Sequence, residues 1–150
     1  MKLDRLAEVI AGHRALPLLV PLAAVLWSGL ALCHEAAAPP DLNDSIVHAG
    51  LTRAVLGEWA EGRSGLDPWV ADWAFGYPVL RHYQPASYLC TAAVTVLLPG
   101  DVDPARVLDV LTWLGLCLHP LLLYAAARWA GVDPWTAGLA GGLSCLVQSP

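Results

Sequence analysis

An all-α, polytopic membrane helical bundle is the fold class this sequence predicts, and three observations predict it. Hydrophobic residues make up 57% of the 150 residues, and Asp, Glu, Lys and Arg together only 14%, far from the balance of a water-soluble domain. Apolar runs recur along the chain at lengths near the roughly 20 helical residues that cross a bilayer core. The last run carries Gly138, Gly141 and Gly142, a small-residue spacing that lets membrane helices approach closely. The net charge is -5 and the eight Lys and Arg are scattered singly, so no basic patch offers itself to nucleic acid.

About four spans are visible. The first covers residues 15–32, with Pro17 and Pro21 in its early turns, where proline is tolerated more easily than in mid-helix. Lys2, Arg5 and Arg14 precede it as they would a signal peptide, but its uncharged run outlasts a signal core. Ala36-Ala37-Ala38 is the only candidate cleavage site and further spans follow, so an uncleaved first helix is expected. Residues 85–98 form the second span, the shortest and weakest, which can tilt little, borrow Tyr83 and Gln84, or be partly re-entrant. Residues 107–127 form the third, interrupted by Asp109 near its start and His119-Pro120 in its middle. The fourth covers 134–150, and because it is still apolar near Pro150 the chain reads as a compact four-span protein or as the N-terminal part of a longer membrane domain.

Asp-Pro recurs at 67/68, 103/104 and 133/134. Each pair fits an aspartate N-cap followed by proline in the first helical turn. The cysteines, Cys33, Cys90, Cys117 and Cys145, lie in or beside apolar runs without CxxC spacing and read as small hydrophobes.

Orientation follows from the basic residues. Three lie in the first 14 positions and three across the whole of residues 33–84, which also carry seven acidic side chains. The N-terminus is therefore expected in the cytoplasm of a multi-pass plasma-membrane protein, with loop 33–84 extracytoplasmic and the 99–106 connection cytoplasmic.

That loop is too long for a simple connector and too rich in tryptophan to be disordered. From Asp44, "DSIVHAGLTRAVLGEWAEG" reads as a helix ended by Gly62, with Ile46, Val47, Leu51, Val55 and Trp59 as its apolar positions. A turn at Gly76-Tyr77-Pro78 follows, so two short helices and a turn are expected over the bundle. Asp44, His48, Thr52 and Val55 fall along one edge of the first helix. An aspartate one turn before a histidine can act as a general base, hold a divalent cation, or simply cap the helix. Asp41 and Asn43 read as turn residues. Trp69, Trp73, Tyr77, Tyr83 and Tyr88 fit an interfacial aromatic belt. Arg81, His82 and Tyr83 stand at the mouth of the second span, where a cation and an imidazole can meet a phosphate or an arginine can snorkel.

The order of these motifs carries a resemblance. An N-terminal span, Asp44-x-x-x-His48, Gly57-Glu58-Trp59, Gly76-Tyr77-Pro78 and Tyr83-x-Pro-x-x-Tyr88 resemble the start of multi-span C-type (GT-C) membrane glycosyltransferases. The likeness is nearest to the bacterial and archaeal 6-pyruvoyl-tetrahydropterin synthase-related membrane proteins. It covers about residues 10–150, most specifically 41–88. The resemblance implies a transferase that moves a sugar from a polyprenyl-phosphate donor to an acceptor hydroxyl at the extracytoplasmic face. It implies Asp44 as catalytic carboxylate, or as ligand of a divalent cation, with His48 beside it, and Arg81, His82 and Tyr83 as contacts to the donor phosphate. Pterin chemistry would need a histidine zinc site, and His34, His48 and His82 show no compact HxH spacing.

The competing expectation is a non-catalytic polytopic membrane protein, such as a transporter piece or assembly subunit, in which Asp44 caps a helix and the aromatics anchor the loop. Intramembrane Asp109 and His119 then carry more of the interest.

Overall fold

The computed structural model describes residues 15–37, 44–70, 76–78, 80 and 84–147, with residues 35, 36, 44, 45, 77 and 78 described by their backbone. The elements are helices α1 (Leu16–Ala31), α2 (Cys33–Ala37), α3 (Asp44–Ala60), α4 (Pro85–Leu97), α5 (Pro104–Trp129) and α6 (Pro134–Ser144), with two-residue strands β1 (Trp69–Val70) and β2 (Tyr77–Pro78) between α3 and α4. The protein is mostly helical, as the sequence predicts, and divides into two compact units.

One unit contains Met1–His34 and Trp113–Pro150. Here α1 packs along α6. Glycine makes the approach possible: a Cβ on Gly138 would run into the Pro17 carbonyl oxygen, one on Gly142 into the Val20 side chain, and one on Gly141 would stand 2.5 Å from the Pro120 carbonyl oxygen. Pro17, Pro21 and Pro120 are fully buried. The other surfaces of these helices are apolar and exposed, including Leu22, Leu26, Leu30, Leu122 and Leu143.

Asp133 does cap α6, accepting from the Trp135 and Thr136 amides, both at 3.1 Å. Hydrogen bonds from Thr136, then from the Trp135 amide, hold its carboxyl below the usual carboxylate range. α5 ends in a Schellman turn: Gly131, at φ +83, bonds to the Arg128 carbonyl while Val132 reaches back to Ala127.

Glu35–Thr112 form the second unit. Its core is Leu51 and Val55 of α3 against Tyr88 and Ala92 of α4, closed by Leu80. Thr52 and Thr91 are buried with them, which is tolerable because each hydroxyl donates to a carbonyl one turn back, of His48 and Ser87 respectively. Asp103 caps α5 by accepting from the Ala105 amide at 3.1 Å and pairs with Arg53 of α3 at 2.9 Å.

Several expectations are corrected. Ile46 and Val47 are exposed, and Ala49 and Thr52 are buried in their place, because the stripe facing α4 runs through 48, 51, 52, 55 and 59, one position out of phase with the most apolar residues. Asp67-Pro68 opens a strand rather than a helix. Among its described residues loop 33–84 thus holds the five-residue α2, the 17-residue α3 and an antiparallel ladder pairing Trp69 with Pro78 and Val70 with Tyr77. Gly76, at φ +98, leaves room for the Trp69 ring, which a Cβ there would strike. Among the described residues only α5, Pro104–Trp129, is both long and apolar enough to cross a membrane by itself; it extends past both expected ends of 107–127.

Candidate functional site

The helix that carries the Asp-His pattern is built as its sequence requires. Its last turn closes on Gly62, at φ +71, with the Gly62 amide on the Trp59 carbonyl and the Arg63 amide on Glu58, a second Schellman turn. The chain then folds back so tightly that a Cβ on Gly65 would lie 2.6 Å from the Trp59 indole nitrogen. Arg63 grips the Glu58 carboxylate with both arms of its fork, at 2.6 and 2.8 Å, and also pairs with Glu61. The Arg63 hydrogen bonds lower the Glu58 pKa. Glu58 of the Gly-Glu-Trp motif is therefore committed to ending a helix, not to chemistry.

Asp44 is the first residue of α3 and His48 follows one turn later. His48 lies on the stripe facing α4. Its Nδ1 is 2.7 Å from the Tyr88 hydroxyl, and the two rings lie 5.7 Å apart at 25°. Tyr88 is buried and His48 half-buried. Behind the ring, the His48 carbonyl accepts from Thr52 Oγ1 at 3.1 Å.

This arrangement fixes the imidazole. The shared proton sits in one of two places: on Nδ1, donated to the tyrosine oxygen, leaving Nε2 a lone pair to accept a proton; or on the tyrosine, donated to Nδ1, leaving Nε2 a donor able to bind a phosphate oxygen. In either arrangement the Tyr88 hydroxyl occupies Nδ1, so further chemistry of the ring falls to Nε2.

Sequence reasoning assigned Tyr88 to an aromatic belt, whereas its hydroxyl is the partner of His48. The signal available was position: Tyr88 closes Tyr83-x-Pro-x-x-Tyr88 in the first turn of α4 after Pro85, on the face that meets α3. Arg81, His82 and Tyr83, like Asp41 and Asn43, lie outside the described residues. Among the described residues no three His, Cys, Asp or Glu side chains converge as metal ligands. Asp109 is half-buried and His119 exposed, both on α5.

Comparison of the chain with protein-family models, with curated proteins and with solved structures finds no match.

Proposed function

We propose that the chain is a membrane glycosyltransferase, or the N-terminal portion of one, that takes a sugar from a polyprenyl-phosphate donor at the extracytoplasmic face. The observation that carries the reading is the imidazole of His48, fixed by the buried hydroxyl of Tyr88 one helical turn after Asp44. A membrane setting is supported by α5: only 11% of its most apolar 18-residue window is buried, whereas the core helix of a soluble protein would be mostly covered. The 26 residues of α5 rise about 39 Å, enough for a bilayer core of about 30 Å. The 16 residues of α1 rise about 24 Å, and with the apolar Ala15 and Leu32 added they form a short first crossing.

In the reaction, an acceptor hydroxyl attacks the anomeric carbon, forming the new carbon–oxygen bond. Its proton passes to the Asp44 carboxylate. The bond from the anomeric carbon to the donor phosphate breaks, its electron pair leaving on the polyprenyl phosphate. His48 orients a phosphate oxygen or a hydroxyl through Nε2, and Arg81, His82 and Tyr83 supply donor contacts. In a variant of the same reading Asp44 would hold a divalent cation, which would supply positive charge for the donor phosphate.

The test is Asp44→Asn in the complete natural protein, with transfer from a polyprenyl-phosphate sugar measured in membranes. Lost transfer at normal membrane levels is expected; unimpaired transfer sinks the catalytic role. A second reading has one observation in its favour. A half-buried histidine bonded to a buried tyrosine also serves as a structural tie between two helices, so a non-catalytic membrane protein, such as a transporter piece or assembly subunit, is the alternative.

A further inference from the structure

Contacts within the α1/α5/α6 unit fix the directions of its helices. Gly138 sits against Pro17, and Gly142 against Val20, so α6 advances along α1 in the same sense. Gly141 meets Pro21 together with Pro120 and Tyr124 of α5, while Gly29, two turns further along α1, faces Cys117 Sγ at 3.9 Å. Going up α1 is thus going back down α5. The order is up, down, up.

That order constrains the chain between α1 and α5. When two consecutive membrane helices are antiparallel, the segment joining them starts and ends on one side of the bilayer. A single crossing by α4 is incompatible with it. Resting on the membrane reading above, we propose that α4 does not cross: residues 33–103 stay on the extracytoplasmic side, seated on outer-leaflet lipid by the exposed end of α4, and the chain crosses at α1 and α5.

Three independent observations support this. The Arg53–Asp103 ion pair, at 2.9 Å, joins the outer-loop helix to the cap of α5, two groups that a crossing α4 would place on opposite sides of the membrane. The 13 residues of α4 rise only about 20 Å, and an apolar run of 10–14 residues is more often a core helix than a span. Its inner face is already covered by α3, which carries Arg53, Glu58 and Glu61 and could not follow it into hydrocarbon.

The partner of the exposed end of α4 follows from chain continuity. Val96, Leu97 and Leu98 are 64, 83 and 41% exposed, and α5 starts into the membrane at Pro104, so these side chains are held within a few residues of the bilayer surface. Lipid acyl chains are the apolar medium available there.

The experiment places single cysteines in the full chain after its four native cysteines are replaced, and labels right-side-out vesicles with a membrane-impermeant maleimide. Asp101→Cys should label as Ser64→Cys does, while Lys2→Cys labels only after permeabilisation; Pro99→Cys repeats the measurement should Asp101→Cys express poorly. Ser64→Cys labelled with Asp101→Cys protected overturns the inference and leaves the membrane reading standing. Equal labelling of all sites, Lys2→Cys included, overturns both. For the lipid seat, a nitroxide on Leu97→Cys in phosphatidylethanolamine/phosphatidylglycerol vesicles should meet oxygen more often than a water-soluble nickel chelate; the reverse order, as expected at Ser64→Cys, removes the seat.

Discussion

Tyr88→Phe isolates the contact on which the candidate site depends. The substitution removes one oxygen and leaves the ring, so the core of Leu51, Val55, Leu80 and Ala92 around it keeps its volume. What is lost is the hydrogen bond to His48 Nδ1. A net hydrogen bond contributes about 0.5–1.5 kcal/mol. His48 is only half-buried, so water can replace part of the interaction, and about 1 kcal/mol, a roughly fivefold shift in the unfolding equilibrium, is the expected cost. Tyr88→Ala should cost about 3–5 kcal/mol, because it also opens a cavity in that core. Denaturant titration in detergent micelles gives both numbers. Nitrogen-15 spectra of the imidazoles, assigned through His48→Gln, report the contact itself: with Tyr88→Phe the His48 ring loses its fixed tautomer and its nitrogen shifts move toward those of an exchanging, solvated ring. Unchanged His48 shifts in Tyr88→Phe would refute the reasoning, whatever the stability result.

Two further outcomes follow from helix packing and helix ends. Gly141→Ala, whose Cβ would stand 2.5 Å from the Pro120 carbonyl oxygen and 3.2 Å from Pro21, should destabilise the α1/α5/α6 unit by about 1–3 kcal/mol, whereas Gly115→Ala, with nothing within 4 Å, should gain about 0.5–1 kcal/mol from helix propensity; thermal melts in detergent in which both changes act alike would contradict the close approach. At the end of α3, the Glu58 pKa is depressed below its ordinary 4.5 by Arg63, so the stabilisation from that pair is fully present above 4.5 and is lost as pH falls through the lowered folded value. Amide exchange corrected for its intrinsic pH dependence should therefore accelerate at Gly62 and Arg63 on acidification, and the acceleration should vanish in Glu58→Gln.

The helical class and most helix boundaries were legible in the sequence because their signals are local. Asp103 and Asp133 announce α5 and α6 by a cap followed by proline, and Gly62 announces the end of α3 by a residue that alone adopts positive φ at no cost. Asp67-Pro68 carries the same two letters without the same result, since the chain after it pairs with Tyr77–Pro78 instead of continuing as a helix. Of the site, the Asp44/His48 spacing was legible. Tyr88 as the partner of His48 was not, because that contact spans 40 residues and depends on which face of α3 turns to α4, a choice decided by Leu51 and Val55 and not by the more apolar Ile46-Val47 pair.

The element whose placement the sequence leaves most open is α4, and the reason is physical rather than statistical. Hydropathy measures how willingly a segment leaves water, and lipid and a protein core reward that equally. Length favours a crossing for α5, whose 26 residues rise about 39 Å. It leaves α4, with 13, undecided. What covers the helix favours the proposed placement instead: Tyr88, Thr91 and Ala92 are buried, and α3, packed on that face, brings His48 and Arg53 with it, groups that water solvates better than hydrocarbon does. The same placement makes the candidate site intelligible. On the proposed topology the His48–Tyr88 contact would stand on the extracytoplasmic side, one turn from Asp44, where a polyprenyl phosphate presents its head group.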